Sequence, residues 1–359
     1  MSKNDALDFA QKLAYNMMDT SYTVKFSFYG FGIEVKCQDT QTLQNIQRDY
    51  SFFLSEEVVP KVIFEIFNEA PDYNKFPHIK ANLYTPRNIC YRQKNLYFID
   101  YFGRGILVID HCKDIYRVFC PDSHLRHEIV FLSILSLVGQ NFDLRNIHRV
   151  HGLGLAVGNK AILILLPSGG GKTTLLLDII KNEFVKLISE DSPLIDRSGK
   201  AFPFPIRIGV SRKDKPQDIP DAHLHFIKRM EFGPKYTIDI DVFKNKIARE
   251  PLPVEYILCG ARCLGSESYI KPLSKHSALG ELVKNSVVGL GLYQGIEFLF
   301  QEGIFELFKK SGVLFSRFKN ASKVASRSKT YSFVIGSDRR KNVETFLNFC
   351  QENINKKSE

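Results

Sequence analysis

From Tyr22 onward apolar and polar positions alternate. YTVKFSFYG and FGIEVKC each put every second residue on one apolar face and meet at Tyr29-Gly30, which predicts two half-buried strands joined by a hairpin. The period then changes, and Gln41 to Phe53 reads as a helix. NICYRQ, NLYFIDY, GILVIDH and DIYRVFC are short runs rich in aromatic and β-branched residues, separated by polar turns, the pattern of an antiparallel meander. Cys120-Pro121-Asp122 breaks it. Behind Asp122 or Ser123 as cap, Leu125, Ile129, Leu132 and Ser136 recur at helical spacing to about Gly139; His124 and His127 on this helix read as surface or packing residues, because no partner stands at ligand spacing.

The second half alternates strands and helices. VHGLGLAV and KAILILL are apolar strand candidates meeting at Gly158-Asn159, and TTLLLDIIK reads as the helix behind the second. Arg197-Ser198-Gly199-Lys200 between LID and AFPF reads as a hairpin turn. Asp239 and Asp241 in TIDID alternate with Ile238 and Ile240, as on the wet face of a half-buried strand. Ala278 to Leu292 and Gly295 to Phe308 read as apolar helices packed on the core or forming a subunit contact. With 359 residues the chain is long enough for two domains: a smaller β-rich α/β domain over 1–121 and a larger α/β domain over 122–359.

Composition narrows the setting. The seven cysteines form no CxxC pair, and Cys259 and Cys263 lack a second pair, so free thiols in a reducing cytoplasm are expected. MSKNDALDFAQKLAY has no apolar signal core, and the run Ile129 to Val138 is too short to span a bilayer. The formal charge of +10 favours anionic partners without choosing among them. The basic run Arg212-Lys213-Asp214-Lys215 carries no interleaved aromatics, so nucleic acid ranks last among those partners.

The chemistry concentrates in LPSGGGKTTL, Leu166 to Leu175. A glycine-rich turn between an apolar strand and a helix lets backbone amides approach phosphate oxygens at the positive end of the helix dipole. The amides of Ser168, Gly169, Gly170, Gly171, Lys172, Thr173 and Thr174 are the candidate cradle for ATP. Lys172 is the cation for its phosphates and the Thr173 hydroxyl a ligand for Mg²⁺. Leu166 stands where such loops usually begin with glycine. No LSGGQ-like segment follows, and no Asn-Lys-x-Asp base reader is present, which excludes the common transporter ATPases and the GTPase switches.

VHGLGLAVGNKAILILLPSGGGKTTLLLDIIKNEFVKLISEDSPLID, Val150 to Asp196, resembles the catalytic domain of HPr kinase/phosphorylase and its relatives, whose P-loop fold is shared with phosphoenolpyruvate carboxykinase. Similarity is specific from His148 to Val210 and weaker from His124 to Phe349, where YSFVIGSDRRKNVETFLNF looks like the family's closing strand and helix. The resemblance implies a serine kinase. His151 matches the histidine beside the transferred phosphate, while His148 does not match. The Glu190-Asp191 pair takes the place of the family's acidic pair, with Glu190 as proton acceptor and Asp191, with Thr173, as the Mg²⁺ site; the family usually has aspartate first. Arg207 in PFPIRIGV corresponds to an anion contact, and Pro205 replaces an acid that precedes it.

These features lead to an ATP- and Mg²⁺-dependent kinase acting on a serine or threonine hydroxyl of a small protein or peptide, such as a ribosomal peptide precursor. The rivals are a small-molecule hydroxyl kinase of the same fold and a nucleotide-dependent binding module without transfer. Family members are often oligomeric, so a homo-oligomer is compatible with the resemblance.

Overall fold

The computed structural model describes residues 22–167, 169–229, 233–286 and 304–354, with backbone alone at 213 and 304–310. The chain order begins β1 (Tyr22–Phe28), β2 (Phe31–Cys37), α1 (Thr40–Asp49), β3 (Val62–Phe67), β4 (Ala81–Tyr84), β5 (Ile89–Gln93), β6 (Leu96–Asp100), β7 (Ile106–Asp110), β8 (Ile115–Phe119) and α2 (Ser123–Leu144). It continues through β9 (His148–Arg149), β10 (Leu153–Val157), β11 (Lys160–Leu165), α3 (Lys172–Ile179), β12 (Val185–Ser189), β13 (Leu194–Ile195), β14 (Lys200–Phe202) and β15 (Ile208–Val210). The last elements are β16 (Leu224–Ile227), β17 (Lys235–Ile238), β18 (Leu252–Arg262), β19 (Tyr269–Pro272), α4 (Lys275–Ser286), α5 (Ile304–Arg327), β20 (Lys329–Ile335) and α6 (Arg339–Asn353). The fold is mixed α/β, with two compact units: Met1–Val138 with Ser211–Asp239, and Gly139–Val210 with Ile240–Glu359.

In the first unit the alternation of β1 and β2 buries Val24, Phe26, Phe28, Ile33 and Val35. Their two-residue turn places Tyr29 at φ 53 and Gly30 at φ 84; two left-handed residues in succession suit the right-handed twist of the hairpin. The sheet order is β1-β2-β3-β8-β7-β6-β5-β4. β5 to β8 form the antiparallel meander expected from the pattern. β3 enters the sheet parallel to both β2 and β8, a pairing that no turn in the sequence announces, because parallel neighbours are joined through distant connections.

α1 is capped by Asp39, which accepts from the amides of Gln41 and Thr42, and ends at Asp49, with a short 3-10 turn over Ser51–Phe53 completing the expected stretch. Asp122 caps α2 through the Leu125 amide, and the helix runs on to Leu144. Its first turn is anchored by Arg126, which is buried and donates to Asp39, Thr42, Asn68 and the carbonyls of Cys120 and Pro121. His127 is buried against Asp49 at 2.7 Å.

The second unit is built on the sheet β12-β10-β11-β18-β14-β13-β9, with β20 on β18 and β19 on β20. β11, β18 and β20 run parallel, so their carboxyl ends lie at one edge. Leu163, Leu165, Ile188, Ile257, Leu282 and Val324 belong to the core cluster of this unit. Of the two apolar stretches expected near 278–308, α4 covers 278–286 and α5 begins at Ile304; 287–303 lie outside the described residues. Among the described residues no helix is long and apolar enough to cross a membrane.

Candidate functional site

β11 is buried from Ala161 to Leu165, and the chain leaves it through Leu166 and Pro167 into the glycine loop. Gly169 and Gly171 take φ 74 and 96, in the left-handed region open to glycine, and Gly170 donates its amide to the Pro167 carbonyl at 2.9 Å. A Cβ at Gly170 would lie 2.8 Å from that carbonyl oxygen, so only glycine fits the turn, and the Gly170 amide expected in the cradle is taken within the loop. α3 begins immediately behind, with Gly171 as an N-cap that supplies no side-chain acceptor and no acid in the first turn. A helix start of this kind presents backbone N–H groups and a positive dipole end. Ser168 lies outside the described residues.

Leu166 has a structural reason. Its side chain is fully buried and sits over Gly260 on β18, where a Cβ would overlap the Leu166 side chain and come 3.2 Å from the Leu165 carbonyl. A glycine on the neighbouring strand thus makes room for the leucine in the loop.

Lys172 opens α3 and is buried. Its ammonium donates to the Leu166 carbonyl at 2.9 Å and meets His151 Nε2 at 2.8 Å. Since an ammonium only donates, Nε2 accepts, and a neutral His151 carries its proton on Nδ1. That atom lies 3.3 Å from Asp191 Oδ1, within ion-pair reach, and among the described residues this buried nitrogen makes no hydrogen bond. Lys172 Nζ is 3.8 Å from the same Asp191 oxygen. The Asp191 side chain is 42% exposed.

The backbone holds this geometry. His151 N donates to Asn285 O, and Gly152 N to Asp191 O, so the Val-His-Gly segment is fixed between the end of α4 and the acidic turn. Thr173 donates its hydroxyl to Glu190, and the Ser192 amide is held by Ser189 Oγ. Thr174 is the next residue of α3 and half-buried; Arg207, also half-buried, directly precedes β15, a strand that packs on α3. The structure therefore gathers His151, Lys172, Thr173, Glu190 and Asp191 from three separate elements around one loop.

Among the described residues no group of three or more His, Cys, Asp or Glu side chains forms a ready metal cage. Thr173, Glu190 and Asp191 offer oxygen donors, the chemistry of a magnesium site that is completed by phosphates and water. The residue that sequence reasoning passed over is Arg262. Its Nη1 is 3.4 Å from the position of a Cβ on Gly171, a proximity created by the parallel pairing of β11 with β18 and absent from any local motif.

No family model matches the chain, and no curated protein matches it.

Other clusters were resolved differently. His148 Nδ1 binds Asp143 at 2.8 Å and Nε2 meets Ser316 Oγ at 2.9 Å, the distances of a nucleophilic triad. However, Ser316 donates to Asn146 Oδ1, Arg317 covers Asp143 at 2.7 Å, and His148 is fully buried, so this is a structural clamp. The Asp196 turn is the expected hairpin, joining β13 to β14 with Gly199 at φ 84. β17 ends at Ile238, one residue short of Asp239. Asp239 does not project from a wet strand face as expected; it is mostly buried and takes His223 at 3.3 Å and His225 at 3.0 Å. The basic run also gains what its sequence lacks: the β16–β17 hairpin brings Phe226 under Arg212 and Tyr236 under Lys215.

Proposed function

We propose that this chain is a Mg²⁺-dependent phosphotransferase of the HPr-kinase-related type, on a phosphoenolpyruvate carboxykinase-like nucleotide fold, which moves the γ-phosphoryl group of ATP to a hydroxyl of a small protein or peptide in the cytoplasm. The observation that carries this reading is the convergence of the Lys172 ammonium, the His151 ring and the Asp191 carboxylate, 2.8 to 3.8 Å apart, at the mouth of the glycine loop. A structural ion pair would satisfy all its members; here, among the described residues, the buried His151 Nδ1 makes no hydrogen bond.

In this reading the loop amides and the end of α3 hold the phosphates, and Lys172 exchanges the Leu166 carbonyl for phosphate oxygens. The acceptor hydroxyl gives its proton to a carboxylate as its oxygen bonds to the γ-phosphorus, and the bond to the β-phosphate oxygen breaks to release ADP. Asp191, beside His151 and open to solvent, is the better placed of the two acids to receive that proton. Glu190 shares the Thr173 hydroxyl, so these two residues would hold Mg²⁺. Relative to the roles implied by the resemblance, the contacts favour an exchange between Glu190 and Asp191. When bound, the metal supplies charge neutralisation on the β- and γ-oxygens. Arg207 is retained as an anion contact, and the basic surface suits an acidic peptide acceptor.

The test is transfer from labelled ATP to candidate acceptors, including peptides encoded beside the gene. Lys172→Ala is expected to lower transfer on the order of 10²- to 10³-fold. Equal transfer by the wild type and this variant would remove the site assignment, and tight ATP binding with no transfer or turnover would make the chain a binding module.

A further inference from the structure

We propose that Arg262 is a phosphate-binding residue of the glycine loop, a second cation acting beside Lys172 on the polyphosphate of the bound nucleotide. The proposal rests on the nucleotide reading above. β11 and β18 are parallel neighbours with Leu165 opposite Cys259. Where β11 stops and turns into the loop, β18 continues through Gly260 and Ala261 to Arg262. The strand overshoot delivers a guanidinium to the carboxyl edge of the parallel sheet, the side on which open α/β sheets bind ligands.

The local electrostatics point the same way. Arg262 Nη1 sits against Gly171, the N-cap of α3, where the helix dipole is positive and no acid is present in the first turn. A cation at that end of a helix is unfavourable. Arg262 is exposed and, among the described residues, has no hydrogen-bond or ion-pair partner to offset the conflict. The contrast with neighbouring cations is clear: Lys172 is held by Leu166 and His151, and Arg339 is paired with Asp178 of α3 at 3.0 Å. In the same site the buried Nδ1 of His151 lies 3.3 Å from Asp191 but makes no hydrogen bond among the described residues, a second polar group that the chain leaves unsatisfied. An anion seated on the loop removes the conflict, and a planar guanidinium offers a phosphate two parallel donors where a lysine offers a point charge.

Calorimetric titration of the full chain with Mg-ATP and with inorganic tripolyphosphate tests the assignment, using wild type, Arg262→Ala and Arg262→Lys. Arg262→Ala is expected to weaken both ligands about 10- to 100-fold, with Arg262→Lys in between. The ligand-free thermal midpoint of Arg262→Ala is expected to equal or exceed that of wild type, because an unfavourable charge has gone; a purely structural arginine would lower it. Unchanged affinity of Arg262→Ala for both ligands overturns the role of Arg262 and leaves the nucleotide reading standing. Arg262-dependent binding of tripolyphosphate without any binding of ATP keeps the anion site and overturns the nucleotide reading. Failure of wild type to bind either ligand overturns both.

Discussion

His148 and His151 stand three residues apart in one segment, both buried and both beside an aspartate, yet their surroundings differ in kind. His148 is saturated: Asp143 and Ser316 take its two nitrogens, and Arg317 and Asn146 satisfy those partners in turn. His151 has one nitrogen on Lys172 and the other without a hydrogen bond, facing a half-exposed carboxylate. A closed polar network rigidifies a core, whereas a partly satisfied one at the mouth of a loop leaves a buried polar atom whose partner must come from outside the chain. Burial and residue type alone would have ranked the two alike.

Asp143→Ala leaves Arg317 and His148 without their buried acceptor and is expected to cost about 3–5 kcal/mol of stability, read by urea denaturation. The same measurement on His151→Ala should show less than half that loss, while transfer from ATP falls on the order of 10²-fold or more. If the two variants lose stability equally and transfer equally, the distinction between clamp and site is wrong.

A smaller effect is expected at the contact between loop and sheet. Gly260→Ala places a methyl group on the Leu166 side chain and should destabilise the chain by about 1–3 kcal/mol. In a Leu166→Gly background the same substitution should cost less, a coupling measured by a double-mutant cycle. Strict additivity would show that Gly260 is not what accommodates the leucine.

The smallest effect is in pH dependence. Burial alone would raise the Asp143 carboxyl, but the hydrogen bond from His148 and the Arg317 charge overcome it and hold the group below its ordinary value of 3.8. A carboxyl depressed in the folded state contributes stability that is present above its unfolded value and lost as pH falls through the folded one. Unfolding free energies of wild type should therefore drop on acidification below about pH 4 more steeply than those of Asp143→Asn. Parallel curves for the two proteins would contradict the depressed value.

Much of the fold is legible in the local pattern. The β1–β2 hairpin, the meander β5 to β8, the strand pair meeting at Gly158-Asn159 and the cap of α2 all follow from alternation, turn residues and acceptor side chains. The parallel insertion of β3 between β2 and β8 does not, because its partners lie far apart in sequence. The same is true of the chain segments that make up each compact unit. Within the candidate site, the glycine loop, Lys172 and the acidic pair are carried by a contiguous motif. Arg262 is not, and neither is the aromatic underside of the basic run, since Phe226 and Tyr236 reach it across a hairpin.

The sequence by itself determined the strand–glycine loop–helix unit and the residue types that surround it, because backbone freedom at glycine and the order of apolar and polar positions act over a few residues. Tertiary structure alone decided which histidine is closed and which is open, why a leucine fits at the start of the loop, and which strand end brings an arginine to the helix. Those outcomes depend on register between strands and on packing across the sheet, where residues distant in the chain become neighbours and compete for the same hydrogen bonds and the same space.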